Sequence, residues 1–123
     1  MTPFPQIDAV EAVPLSRAAA RLDELDRPIS AVRRFVCLRY GITRAEIEGN
    51  RRLRRLATPR HIAFWLALRV TGASASQIGR AFGGRDHTTV LHGYRNVEEW
   101  RRRDAGLRTW TDQIVAQLDG EFP

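Results

Sequence analysis

The chain has 123 residues, 43% hydrophobic and 8% aromatic, which suits one domain with a single core and argues against a disordered chain. All 20 basic residues are arginine, and the formal net charge is +6. The single Cys37 excludes an internal disulfide, and no apolar run is long enough for a membrane span.

The positive charge is concentrated in the middle of the chain. Residues 27–103 hold 17 arginines and five acidic residues, a net charge of +12, whereas residues 1–26 and 104–123 carry −3 each. Codon bias explains arginine in place of lysine but not this placement. A basic centre is typical of a protein that binds a polyanion, and composition leaves DNA, RNA and anionic lipid open. The N-terminus lacks the features of a secretory signal, so we expect a cytoplasmic protein.

The first third of the chain predicts a lead-in and two helices. Prolines at positions 3, 5 and 14 disfavour a helix there, and Ser16 is suited to cap a short helix after them. A second helix is predicted from Ser30 to Tyr40, because this stretch follows Pro28 and precedes Gly41. Its buried face is predicted to carry Ile29, Val32, Val36 and Tyr40.

The next segment predicts a short helix, a basic loop and a long buried helix. Thr43 and Glu46 have the spacing of a capping box, and the run from Arg51 to Arg55 is predicted to be a loop. Thr58 followed by Pro59 is typical of a helix start, so we place the start of the long helix there. Residues 62–68 are apolar on nearly every side, which predicts the central helix of the core.

A helix-turn-helix is predicted between positions 74 and 103. A capping box, two apolar residues one turn apart and a pair of glycines follow one another, namely Ser74, Gln77, Ile78, Phe82, Gly83 and Gly84. Asp86 is then placed to cap a long second helix. A last helix is predicted from Leu107 to Leu118.

The first turn of the long helix carries side chains that suit the reading of bases. A recognition helix contacts base edges with its N-terminal residues. Asp86 can accept from the amino group of cytosine, and His87 can bond purine edges. Thr88 and Thr89 can form hydrogen bonds or place a methyl group against thymine. A simple N-cap followed by a solvated surface has the same pattern, so the pattern alone leaves DNA reading open.

The run from Ile78 to His92 reads IGRAFGGRDHTTVLH. It resembles, almost letter for letter, the signature of the C-terminal DNA-binding domain of the bacterial replication initiator DnaA. The similarity extends from Ile29 towards Trp100. It implies an all-α bundle of about six helices with a helix-turn-helix of the Trp-repressor type. It also implies sequence-specific binding to double-stranded DNA at sites similar to the DnaA box, TTATCCACA.

The resemblance implies two kinds of DNA contact. The base contacts in the major groove are Asp86, His87, Thr88 and Thr89. One arginine of the preceding loop enters the minor groove, and counting back from the signature places it at Arg52. Phosphate contacts are predicted for Arg51, Arg54, Arg55, Arg60, Ser74, Gln77, Arg80 and Arg85. With about six phosphate contacts, log affinity is expected to fall by about five per tenfold rise in salt.

The chain departs from the family pattern at three positions. Leu53 stands where a small polar residue is usual, Thr58 replaces a usual arginine, and Leu68 lies where a basic residue is common. Each is a position where a phosphate contact can be lost. Such losses lower affinity without changing which bases are read.

The residues do not suit catalysis. A chain without lysine cannot contain a P-loop, so we expect neither nucleotide binding nor the initiator's ATPase. His61, His87 and His92 lack metal-ligand spacing, and the adjacency of Asp86, His87 and Thr88 does not make a catalytic triad. We therefore expect no enzyme activity, metal or cofactor.

We divide the chain into an N-terminal extension with one short helix (1–27), a DnaA-like DNA-binding domain (28–104) and a C-terminal helix and tail (105–123). We predict a non-catalytic, nucleoid-associated protein that regulates replication initiation or transcription. The alternative is an adaptor that binds the replication initiator, its regulators or the sliding clamp. Residues 117–122 are weakly similar to clamp-docking peptides. A transcription factor that reads a changed site is a third option.

Overall fold

The computed structural model describes residues 27–51 and 53–121, which form six helices and no strand. The helices are α1 (Arg27–Tyr40), α2 (Arg44–Glu48), α3 (Arg54–Val70), α4 (Ala75–Ala81), α5 (His87–Arg103) and α6 (Ala105–Glu121). The prediction of an all-α bundle is confirmed. The proline-containing lead-in and the helix predicted after Ser16 lie outside the described residues.

The long helix α3 is the centre of the core. The side chains from Ile62 to Ala67 are all buried, as the apolar run predicted. Helices α1, α4, α5 and α6 pack around α3. Burial on every side explains why residues 62–67 are all apolar.

Most predicted helix boundaries are confirmed by local backbone geometry. Thr43 and Ser74 each form a complete capping box, and the carboxylate of Asp86 accepts from the N–H of Thr88. Gly41 has φ of +64° and ends α1 in the left-handed conformation that glycine favours. Helix α1 begins at Arg27, three residues before the predicted start at Ser30.

The predicted start of α3 at Thr58 is wrong. The helix begins at Arg54, so Pro59 lies inside it. Leu56 is fully buried, and its N–H bonds the carbonyl of Leu53 at 2.9 Å, so tertiary packing closes the first turn before the proline. An interior proline lacks the N–H donor and crowds the carbonyl four residues earlier. The helix nevertheless continues through Pro59, because the burial of Leu56 holds its first turn.

The C-terminal helix shares the core with the rest of the bundle. Its inward residues are Leu107, Trp110, Ile114 and Leu118. The side chain of Arg101 in α5 donates to Thr111 and Asp112 of α6 at 2.5 and 2.8 Å. Leu118 is fully buried, so the leucine of the segment that resembles a clamp-docking peptide is used by the core.

The start of α3 generates a stability prediction. Leu53 occupies the N-cap with the same extended backbone as Thr43 and Ser74, but it forms no capping hydrogen bond. The substitution Leu53→Ser supplies the missing acceptor. We expect it to raise the free energy of unfolding by about 1 kcal/mol. Urea denaturation followed by circular dichroism measures the change.

The control for this prediction is Leu38→Ser, the same substitution at an exposed leucine inside α1. It provides no cap and lowers helix propensity slightly, so it should be neutral or mildly destabilising. Equal effects of the two substitutions would contradict the capping argument.

Candidate nucleic-acid interface

The turn between α4 and α5 depends on glycines that are approached closely by backbone. Gly83 and Gly84 have φ of +82° and +76°. A Cβ at Gly83 would lie 2.0 Å from the carbonyl oxygen of Glu48, and one at Gly79 would lie 2.1 Å from that of Arg85. Ile78 and Phe82 are fully buried beneath the turn. The turn is therefore held against both α4 and the end of α2.

The first turn of α5 projects from the bundle. Asp86, His87, Thr88 and Thr89 are all exposed, and Val90, the next residue, is fully buried. The prediction that these four side chains share one polar tip agrees with their placement. Whether they contact bases stays a prediction.

Asp86 is suited to accept hydrogen bonds. The backbone N–H of Thr88 bonds its carboxylate, and this holds the pKa of Asp86 below its usual value, with the charge of His87 helping. The Nδ1 atom of His87 lies 2.8 Å from Oδ1 of Asp86. A carboxylate that stays ionised presents only acceptors, which is what recognition of a cytosine amino group requires.

The basic run between α2 and α3 is partly helical, not a loop throughout. Arg54 and Arg55 form the first turn of α3. Arg51, Leu53 and Arg54 are exposed, and Arg55 is paired with the carboxylate of Glu46. Arg52, the predicted reader of the minor groove, lies outside the described residues.

Arg60 is buried and bonds the backbone of the preceding segment. Its Nε donates to Ile47 O at 3.0 Å, and its Nη1 donates to Arg51 O at 2.7 Å. Its Nη2 donates to the carbonyls of Glu46 at 2.7 Å and Gly49 at 3.0 Å. Four of the five N–H donors of a guanidinium are thus engaged within the protein. At most one N–H donor of Arg60 is therefore left for the predicted contact with a phosphate.

Arg85 has similar internal partners. Its Nη1 donates to Phe82 O at 2.5 Å and Glu48 O at 3.1 Å, and its Nη2 donates to Gly49 O at 2.6 Å. Burial lowers the pKa of both Arg60 and Arg85. A guanidinium nevertheless stays charged at physiological pH. The sequence offered no signal that these two arginines, rather than their neighbours, bond the backbone.

The remaining predicted phosphate contacts lie on α4. Ser74 and Arg80 are exposed, while Gln77 is half-buried and its side chain accepts from the N–H of Ser74 in the capping box. Ser74 and Gln77 thus bond each other in the capping box, and their side chains already have partners within the protein. Arg80 projects from the last turn of α4.

A cavity of 410 Å³ joins the segment after α2 to the tip of α5. It is lined by Asn50, Arg60, His61, Phe64, Arg85 and Thr89. Asn50 and His61 were not predicted as site residues, because nothing in their spacing links them to the signature. His61 stacks on Trp100 with ring centroids 5.6 Å apart, and burial lowers the pKa of its imidazole. The cavity places Asn50, which precedes the basic run, beside Thr89 of the exposed tip.

The described residues also bear on metal binding and on membranes. Across residues 27–51 and 53–121, no group of three or more histidine, cysteine or acidic side chains is placed to hold a metal ion. Within that same range, no helix combines the length and apolar character that crossing a bilayer would need.

Comparison with known proteins identifies relatives of this chain. A family model described as the bacterial dnaA protein helix-turn-helix matches residues 29–97. The chain is 38% identical over 114 residues to the chromosomal replication initiator protein DnaA of Caulobacter vibrioides, covering 93% of this chain and 23% of that protein. It is 44% identical over 79 residues to the DnaA of Sphingopyxis alaskensis, covering 64% and 17%. The chain therefore spans less than a quarter of the length of these relatives.

The glycine turn generates a prediction with a matched control. Gly83→Ala and Gly84→Ala both place a side chain in the left-handed region, at a cost of about 1–2 kcal/mol each. Only Gly83→Ala adds a collision with Glu48 O, because the space around Gly84 is open. We expect Gly83→Ala to be clearly the more destabilising, by urea denaturation. Equal losses would contradict the close approach.

Proposed function

Because the chain belongs to the family of the bacterial DnaA helix-turn-helix domain, we propose that it binds double-stranded DNA and reads sites of the DnaA-box type. The observation that carries this proposal is the exposed tip Asp86–Thr89 at the start of α5. The α4–α5 pair presents this tip as a recognition helix is presented to the major groove. The biological outcome is regulation of replication initiation or transcription in the nucleoid.

The neighbouring segment supports contact with a second groove. Asn50 and Thr89 line the same cavity, so the chain leading to Arg52 runs beside the recognition tip. Where a helix enters the major groove, the adjacent minor groove is separated from it by one phosphate backbone. Arg52 enters that minor groove, where a narrow A·T-rich sequence concentrates negative potential.

The sequence specificity of this binding is tested with two duplexes, one carrying the box and one with the same bases scrambled. Fluorescence anisotropy measures the affinity of the full chain for each. The proposal requires a clear preference for the box. Equal affinity for both duplexes would remove the sequence-specific part and favour the adaptor function.

Thr89→Ala tests the base-reading assignment. The substitution removes a hydroxyl and a methyl group from the exposed tip, so the discrimination between box and scrambled duplexes should fall by about 1–3 kcal/mol. Thr109→Ala is the control, because Thr109 is exposed on α6. The control should leave both affinities unchanged; loss of discrimination in both variants would overturn the assignment.

The salt dependence should be weaker than the sequence predicted. Among the arginines predicted to bind phosphate, Arg51, Arg54 and Arg80 are exposed and have no ion pair to another described residue, whereas Arg55 is paired with Glu46. Three or four contacts give a slope of about −3 in log affinity against log salt, in place of about −5. Arg54→Ala should make the slope less steep by about 0.9. Arg108→Ala, on the exposed surface of α6, should leave it unchanged.

A further inference from the structure

Two guanidinium groups satisfy most of the backbone carbonyls at the end of α2. Of the six carbonyl oxygens from Glu46 to Arg51, five accept a hydrogen bond from Arg60 or Arg85. Both arginines bond the oxygen of Gly49. A helix leaves its last four carbonyls without internal partners, and α2 has only five residues. This stretch, called here the 46–51 segment, depends on side chains from elsewhere for its conformation.

The two arginines come from different elements. Arg60 belongs to α3, which follows the segment, whereas Arg85 belongs to the turn that leads into α5. The guanidinium of Arg85 also bonds Phe82 O, so it joins the helix-turn-helix turn to the 46–51 segment. Gly83 allows this approach, because any Cβ there would collide with Glu48 O. Arg85 N donates to Gly79 O at 2.8 Å, which fixes its backbone on α4.

We propose that Arg85 is a positioning residue that fixes the 46–51 segment against the recognition helix, so that the two elements bind neighbouring grooves as one rigid body. Arg60 is the second anchor of the same segment. The inference rests on the proposed function, since it assigns the segment and the tip to adjacent grooves. It gives Arg85 a function that differs from direct contact with a DNA phosphate.

The two functions of Arg85 predict opposite responses to lysine. A phosphate contact needs charge, which Arg85→Lys retains. The positioning function needs a planar guanidinium, whose two terminal nitrogens bond three backbone carbonyls. A lysine ammonium cannot reproduce this arrangement. Arg108→Lys is the matched control, because Arg108 is exposed on α6 and has no predicted DNA contact.

The first experiment measures the affinity of the full chain for the box and scrambled duplexes at several salt concentrations. Arg85→Lys should lower the preference for the box by about tenfold, the size of one lost base contact, while the scrambled affinity and the salt slope stay unchanged. Arg108→Lys should change none of them. If Arg85→Lys also changes none of them while Arg85→Gln makes the slope less steep by about 0.9, Arg85 is a phosphate contact and the proposal fails.

A double-mutant cycle tests whether Arg85 acts through the segment. Once the segment is no longer positioned, Arg52 contributes less, so Arg52→Ala should cost less discrimination in the Arg85→Lys background than in the wild type. Arg52→Ala combined with Arg108→Lys should be additive. Additivity in both cycles would show that Arg85 does not position Arg52.

A third measurement uses only the wild-type protein and so does not depend on how well a variant folds. One base pair is inserted into the box between its A·T end and the bases read by the tip, which displaces the two ends by about 3.4 Å along the helix axis. A rigid unit cannot follow, so it keeps the contacts of the tip and loses those of the segment, and the preference for the box should fall by about tenfold, as in Arg85→Lys. If the inserted box keeps the full preference, the segment moves independently and the proposal is overturned. If the intact box itself shows no preference, the proposed function has failed instead.

Discussion

The carbonyl groups at the end of α2 accept hydrogen bonds in a buried or partly buried environment, where water has limited access to them. A buried carbonyl without a partner costs about 1–3 kcal/mol, so donors must come from the protein. Arg60 and Arg85 provide these donors and draw together the end of α2, the start of α3 and the turn before α5. The glycine at position 83 and the exposed tip of α5 both follow from this arrangement, since the turn must approach the segment while Asp86 and its neighbours face outwards.

The sequence predicted helix boundaries well where a single residue determines the local backbone conformation. The capping boxes at Thr43 and Ser74 and the glycine at position 41 act within a few residues, so each marks a boundary without knowledge of the tertiary structure. Thr58 and Pro59 gave a false signal because proline is tolerated inside a helix whose first turn is held by packing. The burial of Leu56, which holds that turn, depends on helices distant in the sequence.

The polar tip of the candidate site could be predicted from the sequence, but the partners of its arginines could not. Exposure of Asp86 to Thr89 follows from the cap and from the buried Val90 beside them, both visible in the sequence. An arginine that bonds carbonyls has the same sequence signature as one that bonds phosphate, because both use the same guanidinium donors. Only the three-dimensional placement of the 46–51 segment separates Arg60 and Arg85 from the exposed Arg51, Arg54 and Arg80.

The difference between arginines bonded inside the bundle and exposed arginines explains part of the exclusive use of arginine in this chain. Arg33 bonds the carbonyl of Ala81 and the hydroxyl of Ser30 while contacting Glu48, and Arg101 lies over the ring of Trp65 while bonding α6. With Arg60 and Arg85, these are positions where several partners are arranged around one planar group, and lysine cannot replace it. At the exposed positions lysine would supply the same charge to a phosphate. Geometry therefore requires arginine inside the bundle, whereas a surface position that binds phosphate needs only the charge. Of the 17 arginines in the central region, these four therefore have partners within the protein.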